Sequence, residues 1–389
     1  MFPRGYTMLI NRQMNIITSQ DIPKDDLELL HHIPRMPIKC SIAQPHSKKK
    51  NDIYSDFNVY IDKKTGMIQI NPLIELELLY GTQHNDSIGS TWMRHHESFR
   101  NFIAEYNPKK VLELGAGSGI LSKLFLSAEK DCMWTALDCN LDLLKDRTDI
   151  RTIQSSVDDT MQLTDEYDMV VHSHFLEHLY NPASILRTLS REMPLGSKHL
   201  FSIPNFRLWL GKKFSNTIFF EHTFYLDEIF TKHLLERNGF KLEKQIYFEE
   251  HSIFYSCENT KTYSSKPLEN RYDEMKKIYL KYVEYIDNFV SKVNDLTREN
   301  NNEVFLFGAH IFSQVLLASG LRKDNIRTIL DNSDIKIGNR LYGYEYLIEH
   351  PNAISDVKNP FVILCAGAYQ KEIREQLTRV NPLVRILEP

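Results

Sequence analysis

The stretch VLELGAGSG, residues Val111 to Gly119, sets three alternate glycines after a short apolar run, with an acid two places ahead of the first. Such a loop holds either a pyrophosphate or a ligand that carries no phosphate. The dinucleotide fingerprint GxGxxG needs its third glycine for close helix–strand packing. Here the glycines are Gly115, Gly117 and Gly119, and Ile120 stands where that third glycine belongs. Glu113 adds a charge argument: a carboxylate repels a pyrophosphate but accepts hydrogen bonds from an ammonium group. Glycine in the loop lets a ligand approach the backbone closely. Asp138, at the end of the following ALD, lies about 20 residues on, where a carboxylate takes both hydroxyls of a ribose. That position suits a dinucleotide equally well, so it does not separate the two cases.

Around this loop, residues 109–257 alternate between two patterns. KVLEL, MWTALD, IRTIQ, YDMVVH and KHLFSIP are short apolar runs bounded by turn residues or charges, which predicts buried strands. ILSKLFLSA, LDLLKDR and NPASILRTLSREM between them predict helices. The alternation predicts a parallel sheet covered by helices, with KLEKQIYF and SIFYSC as a closing hairpin. Met275, Ile278, Tyr279, Tyr282, Ile286, Phe289, Val290, Val293 and Leu296 then form an amphipathic stripe, predicting a long helix that packs one unit on another. VFLFGAH, IRTILD and FVILCAG, separated by HIFSQVLLASG and AYQKEIREQL, predict a second, smaller α/β unit. The first hundred or so residues carry scattered prolines and a KKK tract at Lys48–Lys50, and are expected to be irregular.

With 389 residues, 42% hydrophobic and 25% charged, the chain has room for two or three domains of ordinary composition. A net charge of −4 argues against a nucleic-acid surface. Cys40, Cys132, Cys139, Cys257 and Cys365 are scattered without a CxxC, which suits a reducing compartment and offers no zinc or disulfide framework. Charges interrupt the apolar residues of MFPRGYTMLINRQ, unlike a secretory leader, and no run is long enough to span a membrane. A cytoplasmic protein without membrane or nucleic-acid partners is expected, its oligomeric state left open.

ELGAGSG, with Asp138 and the later block YDMVVHSHFLEHLYNP, resembles the class I S-adenosylmethionine-dependent methyltransferases. The resemblance implies S-adenosylmethionine as cofactor, held by Glu113, Gly115, Gly117, Gly119 and Asp138, with His174 and Glu177 near its methionine portion. For His174, Glu177 and His178, capping and packing remain alternative roles. Towards the C-terminus, FLFGAH, DNSDIKIGNRLYG and PFVILCAGAYQKEI, with Gly308, Asp331, Asn332, Lys336, Gly338 and Gly343, look like the last domain of the three-domain sugar C-methyltransferases. YIDKKTGMIQINPLIELELLY matches that family's N-terminal region, with a departure. Where relatives carry the second of two zinc-binding cysteine pairs, this chain has Asp62 and Thr65, and the first pair is missing. Tetrahedral zinc needs four N or S ligands, so no structural zinc, and no other metal, is expected.

The resemblance thus implies an α/β protein: a degenerate zinc-ribbon-like lobe over residues 1–80, a methyltransferase domain over 81–260 with a Rossmann-like sheet, a linker and helix over 261–302, and a Rossmann-like α/β domain over 303–389. It implies a nucleotide-linked sugar or related small polar acceptor, from surface-glycan or natural-product pathways. In TIFFEHTFYLDEIF, Glu221 and His222 match the family's substrate-facing pair, with Phe219 in place of a tyrosine. Histidine is a competent base near neutrality, although a histidine bedded in aromatics is also explained as structural. His84 falls where relatives have a tyrosine and is a second candidate; Tyr80, Trp92 and His96 lie in the same segment, His95 and His96 being read as helix-surface or packing residues. The missing tyrosine keeps O- and N-methylation open. So do a non-catalytic S-adenosylmethionine-binding subunit and, from the two Rossmann-like units, a nucleotide-binding oxidoreductase.

Overall fold

The computed structural model describes residues 9–12, 24–40, 42–45, 47, 49–80, 89–157, 161–163, 165–298 and 303–388. The N-terminal lobe holds strands β1 (Leu9–Ile10), β2 (Leu27–Pro37), β3 (Ile42–Ala43), β4 (Tyr54–Asp62), β5 (Ile68–Ile70) and β6 (Leu73–Ile74), followed by helix α1 (Leu76–Tyr80). The expected irregularity is therefore corrected: β2, β4 and β5 form an antiparallel sheet in that order. Its prolines misled because they sit on an edge strand, where a missing N–H costs no ladder bond. The β2–β4 register shifts between Ile33 and Met36, and Arg35 takes a φ of 52° there. Phe57, Val59, Ile61, Ile68 and Ile70 form the lobe's buried face. At the β4–β5 turn the Asp62 carboxylate accepts the Lys64 N–H (2.7 Å), and Thr65 Oγ1 accepts the Met67 N–H (3.2 Å). Asp62 and Thr65 are thus both used to close the turn.

The central unit runs α2 (Ser90–Ala104), β7 (Lys110–Leu114), α3 (Ile120–Ala128), β8 (Met133–Asp138), β9 (Ile150–Gln154), β10 (Met169–Ser173), α4 (Pro182–Glu192), β11 (Lys198–Pro204), α5 (Phe206–Lys212), α6 (Glu228–Arg237), β12 (Phe240–Phe248) and β13 (Ser252–Asn259). Its seven strands lie in the order β12-β13-β11-β10-β7-β8-β9. All are parallel except β13, which runs antiparallel to both neighbours. The all-parallel dinucleotide order 3-2-1-4-5-6 contains no such reversed strand. LDLLKDR, expected as a helix, forms successive turns instead, closed by Leu144 N–H to Leu141 O and Arg147 N–H to Leu144 O. Seven residues make under two helical turns, and Leu141 and Leu144 are buried as anchors beneath the loop after β7.

Helix α7 (Tyr272–Arg298) buries Met275, Tyr279, Tyr282, Ile286, Phe289, Val290 and Val293 against α5, β2 and β4. The expected stripe is the observed one. Beyond it come β14 (Val304–Phe307), α8 (Ile311–Ala318), β15 (Ile326–Leu330), β16 (Arg340–Leu341), β17 (Ile348–Glu349), β18 (Phe361–Leu364), α9 (Gln370–Val380) and β19 (Arg385–Leu387). Five of these strands make a parallel sheet in the order β17-β15-β14-β18-β19.

The two ends of the chain are locked together. β16 pairs with β3, and the buried Arg340 guanidinium donates to both oxygens of Asp52 (2.7 and 3.0 Å). The Gly343 N–H donates to the same carboxylate, and a Cβ on Gly343 would lie 2.3 Å from Pro37. Removing one partner of a buried ion pair strands the other charge without solvent. Arg340→Met is expected to lower stability by about 3–5 kcal/mol, and pairing it with Asp52→Leu to recover most of the loss. Urea unfolding of the three variants checks this; an unchanged midpoint for Arg340→Met would contradict it.

The central sheet also encloses a histidine pair. His172 on β10 and His199 on β11 face each other with Nε2 atoms 3.0 Å apart, so one ring donates and the other, which must be neutral, accepts. Burial pushes His199 down to about 3 and His172 well below its ordinary value; His96 falls to about 4 and His251 to about 3 for the same reason. Unfolding returns these rings to about 6.5, so the unfolded chain binds more protons and stability is lost as pH falls below that value. Tm is expected to drop steeply from pH 6.5 to 4.5, and Tm values that stay level across that range would refute the account.

Candidate active site

The loop after β7 is shaped by its glycines in two ways. All three have positive φ: 65° at Gly115, 53° at Gly117 and 69° at Gly119. A Cβ on Gly115 would lie 2.3 Å from the Phe175 ring, and one on Gly119 2.4 Å from Leu144, so these two are required by packing. A Cβ on Gly117 would meet nothing within 4 Å; it faces the cleft. Gly117 is the glycine of this loop whose Cα is open to the cleft. Its N–H donates to Asp138 Oδ2 (2.9 Å), while Asp138 Oδ1 accepts from Asn140 N–H (2.9 Å). The Cys139 thiol also donates to Oδ1 (3.4 Å), so Oδ2 is the oxygen with a further lone pair for a hydroxyl.

Glu113, on β7, is buried at the edge of the same cleft and accepts a hydrogen bond from Trp134 Nε1 (2.8 Å). Burial pushes its carboxyl up to about 8, against the Trp134 bond, with Asp138 adding to the rise. A cation arriving there relieves that burden, which is the environment expected for an ammonium ligand.

The cleft continues as one cavity of about 1950 Å³. From the Gly117 loop it passes a polar group in its middle and ends against Gly308, Asp331, Lys336 and Tyr369 of the C-terminal unit. In that middle group the Tyr80 hydroxyl lies 2.9 Å from His178 Nδ1, and Glu221 Oε2 lies 3.8 Å from the same nitrogen. The His222 ring stands 5.5 Å from that of His178 and 4.0 Å from Phe219. Backbone bonds hold these parts in place. The Thr223 N–H donates to Glu177 O (3.0 Å), Thr223 Oγ1 to Leu179 O (2.8 Å), and Ile70 N–H on β5 to Thr223 O (3.0 Å). The segment after His222 is thereby tied both to the loop bearing His178 and to the N-terminal lobe.

His222 Nδ1 lies 2.9 Å from the Thr217 carbonyl. A carbonyl only accepts, so Nδ1 carries the proton and Nε2 is the basic nitrogen. Burial, reinforced by His178, pushes this ring down to about 3. The competence near neutrality expected from a free histidine therefore does not carry over to His222 by itself. Burial holds the Tyr80 phenol well above its usual value, with Glu221 adding to it, so Tyr80 is a proton donor. Glu177 is completely buried, and burial pushes its carboxyl up to about 8.

A family model for a methyltransferase domain matches residues 93–245, and a second, for a C-methyltransferase C-terminal domain, matches residues 266–382. The central unit has a class I S-adenosylmethionine-dependent methyltransferase fold. S-adenosylmethionine is the cofactor of that domain. Among curated proteins, the ubiquinone biosynthesis O-methyltransferase of Vibrio vulnificus strain YJ016 is 31% identical over 106 residues, 25% of this chain; that of strain CMCP6 matches to the same extent. The chain spans 44% of the length of these relatives. Similar solved structures include the N-methyltransferase NodS of Bradyrhizobium japonicum WM9 with S-adenosyl-L-homocysteine (12% identity, 44% of this chain and 88% of that one, TM-score 0.35). The plantazolicin methyltransferase BpumL, with a substrate analogue and the same product, matches at 12% identity over 44% and 84% of the two chains, with a TM-score of 0.36.

In the methyltransferase domain, the residues singled out from the sequence fall into two places. Glu113, Gly117, Asp138 and His174 all line the cleft near the loop, while Glu221 and His222 line its middle. His174 has a φ of 48°, and its Nε2 lies 2.7 Å from Ser252 Oγ. His84 lies outside the described residues. His95 and His96 are both buried, so the helix-surface alternative is corrected. His178 was weighed in the sequence only as one of a histidine-rich run, and Tyr80 only as one of several residues in its segment. Their convergence over 98 positions is set by the pairing of β5 with residues 223–225, which no local motif announces.

Gly117→Val is expected to abolish S-adenosyl-L-homocysteine binding in calorimetry while changing Tm little beyond the roughly 1–3 kcal/mol of a left-handed non-glycine residue. Gly119→Ala should instead act mainly on stability, through Leu144. Equal effects of both variants on affinity would refute this division of labour.

Proposed function

We propose that this chain transfers a methyl group from S-adenosylmethionine to a nucleotide-linked sugar or a related small polar acceptor of surface-glycan or natural-product assembly. The observation that carries the reading is the single cavity joining the Gly117 loop to the carboxyl ends of β14, β15 and β18. In open parallel sheets, ligands sit at the point where strand order reverses, here between β14 and β18. The second unit repeats the device of the first: Asp331 Oδ2, at the end of β15, accepts the Ala309 N–H (2.8 Å), as Asp138 does for Gly117. A small acceptor with no extension would leave that end of the cleft idle; an acceptor carrying a nucleotide spans it. The match of residues 266–382 to a C-methyltransferase C-terminal domain supports carbon as the methylated atom.

The cofactor supplies an electrophilic methyl group on a sulfonium. On this reading Glu113 receives its ammonium, Gly115, Gly117 and Gly119 shape the floor, Asp138 takes the ribose hydroxyls, and His174 borders the methionine portion. The acceptor must lose a proton. We assign that proton to His222 and His178 acting with Glu221, since burial holds His222 alone too low. The Glu221 carboxylate, 3.8 Å from His178 Nδ1, compensates an imidazolium formed there. Tyr80, kept protonated, donates a hydrogen bond to an oxyanion developing beside the reacting carbon. It supplies the phenol that Phe219 lacks, and with it the C-methyl chemistry regains its donor. His84 is retained as a further candidate contact.

Labelled S-adenosylmethionine with a panel of keto and hydroxyl nucleotide sugars is expected to label a keto sugar. His222→Ala and His178→Ala should each cut kcat by about two to four orders of magnitude while leaving product affinity nearly unchanged. Tyr80→Phe should lower kcat without moving S-adenosyl-L-homocysteine binding. Tight product binding with no transfer to any sugar in the panel would overturn the substrate assignment.

A further inference from the structure

We propose that His95, His174 and His251 form a binding site for a divalent transition-metal ion, zinc foremost, at the wall of the cleft. Each offers one ring nitrogen, and the three nitrogens lie within 4.8 Å of one another. The ring centroids stand 5.3 Å apart between His95 and His174, 5.3 Å between His95 and His251, and 5.1 Å between His174 and His251. A tetrahedral zinc with bonds of about 2.0–2.1 Å wants its nitrogens about 3.4 Å apart. The three rings must draw together by about an ångström to reach that spacing.

Two further observations point to a ligand. His95 is fully buried in α2, yet among the described residues neither of its ring nitrogens has a hydrogen-bond partner. A buried imidazole with both nitrogens idle is costly in a finished core, whereas a metal engages one of them. The other two rings are already oriented as ligands are. Ser252 Oγ lies 2.7 Å from His174 Nε2 and 2.5 Å from His251 Nδ1; the opposite nitrogens face Glu177 Oε1 (3.6 Å from His174 Nδ1) and the Tyr369 hydroxyl (3.3 Å from His251 Nε2), and a metal replaces one of these contacts on each ring. Polar partners on the second ring nitrogen are the usual support of metal-bound histidines.

His174 and His251 line the cavity while His95 lies behind them. Three imidazoles would leave a fourth tetrahedral position for an oxygen ligand. The site replaces the expectation of a metal-free chain, which rested on missing cysteine pairs. Histidines separated by 79 and 77 positions leave no spacing signature. Glu177, His178 and His222 form a second histidine–carboxylate cluster nearby, so the test must separate the two.

Full-length protein stripped with a chelator is titrated with Co2+, read by its visible absorption, and then with Zn2+ in competition. One equivalent with a tetrahedral Co2+ spectrum is expected. His95→Ala and the milder His251→Gln should each weaken Zn2+ binding by about a hundredfold or more, while His178→Ala should leave it unchanged. No Co2+ spectrum in the wild-type protein, or loss of binding in His178→Ala with retention in His95→Ala, would overturn the assignment. Circular dichroism of each variant shows that it is folded, and His251→Gln serves if His95→Ala is not. Product binding measured without metal separates a failure here from a failure of the methyltransferase reading.

Discussion

Everything in the cleft depends on the Arg340–Asp52 ion pair and the strip around it, because that contact closes the chain into a ring of three units. The central sheet alone supplies only the cofactor wall. The opposite wall belongs to the C-terminal sheet, and the roof between them includes Arg12 and Tyr80 from the N-terminal lobe. Arg12 donates to the carbonyls of Tyr180 (2.7 Å) and Thr223 (3.3 Å), so the lobe is pinned to the central unit as well. A charge pair at full burial is a weak source of net stability but a strict one for geometry. The Arg340 fork meets both oxygens of Asp52, and Asp52 in turn accepts the Gly343 N–H.

The two α/β units solve the same problem with different amounts of glycine. In each, a strand-end aspartate ties down the N–H of a residue in the first loop. The central loop spends three glycines, two on packing against Phe175 and Leu144 and one on the open cleft. The C-terminal loop spends one, Gly308, whose φ of 101° turns the chain before α8. Phe312 then lies over it, with a Cβ there only 3.0 Å from the ring. The first loop is built for close approach of a ligand to the backbone, and the second presents side chains instead.

Most of the α/β framework was legible because buried parallel strands are continuous apolar runs and their helices are amphipathic, patterns that survive without tertiary information. The N-terminal sheet was not. Its long edge strand reads LELLHHIPRMP, and prolines there carry a negative propensity signal that the edge position cancels. LDLLKDR has a helical pattern, but Leu144 is used as a stop beneath Gly119, a tertiary demand that local preference does not contain. The site followed the same rule. Motif glycines and acids were visible by spacing, whereas Tyr80, His178 and the His95–His174–His251 triangle exist only through long-range packing. The reduced basicity of His222 was equally invisible, since it arises from the aromatic walls that fold around it.

The seat of Gly343 on Pro37 reaches beyond stability. With Tyr54 bonded to the Gly343 carbonyl and Tyr342 receiving the Ile53 N–H, the first and last parts of the chain share one interlocking seam. Modules at the two ends therefore cannot be exchanged independently: a chimera that imports a foreign tail must import the matching head, or the cleft will lose one of its walls.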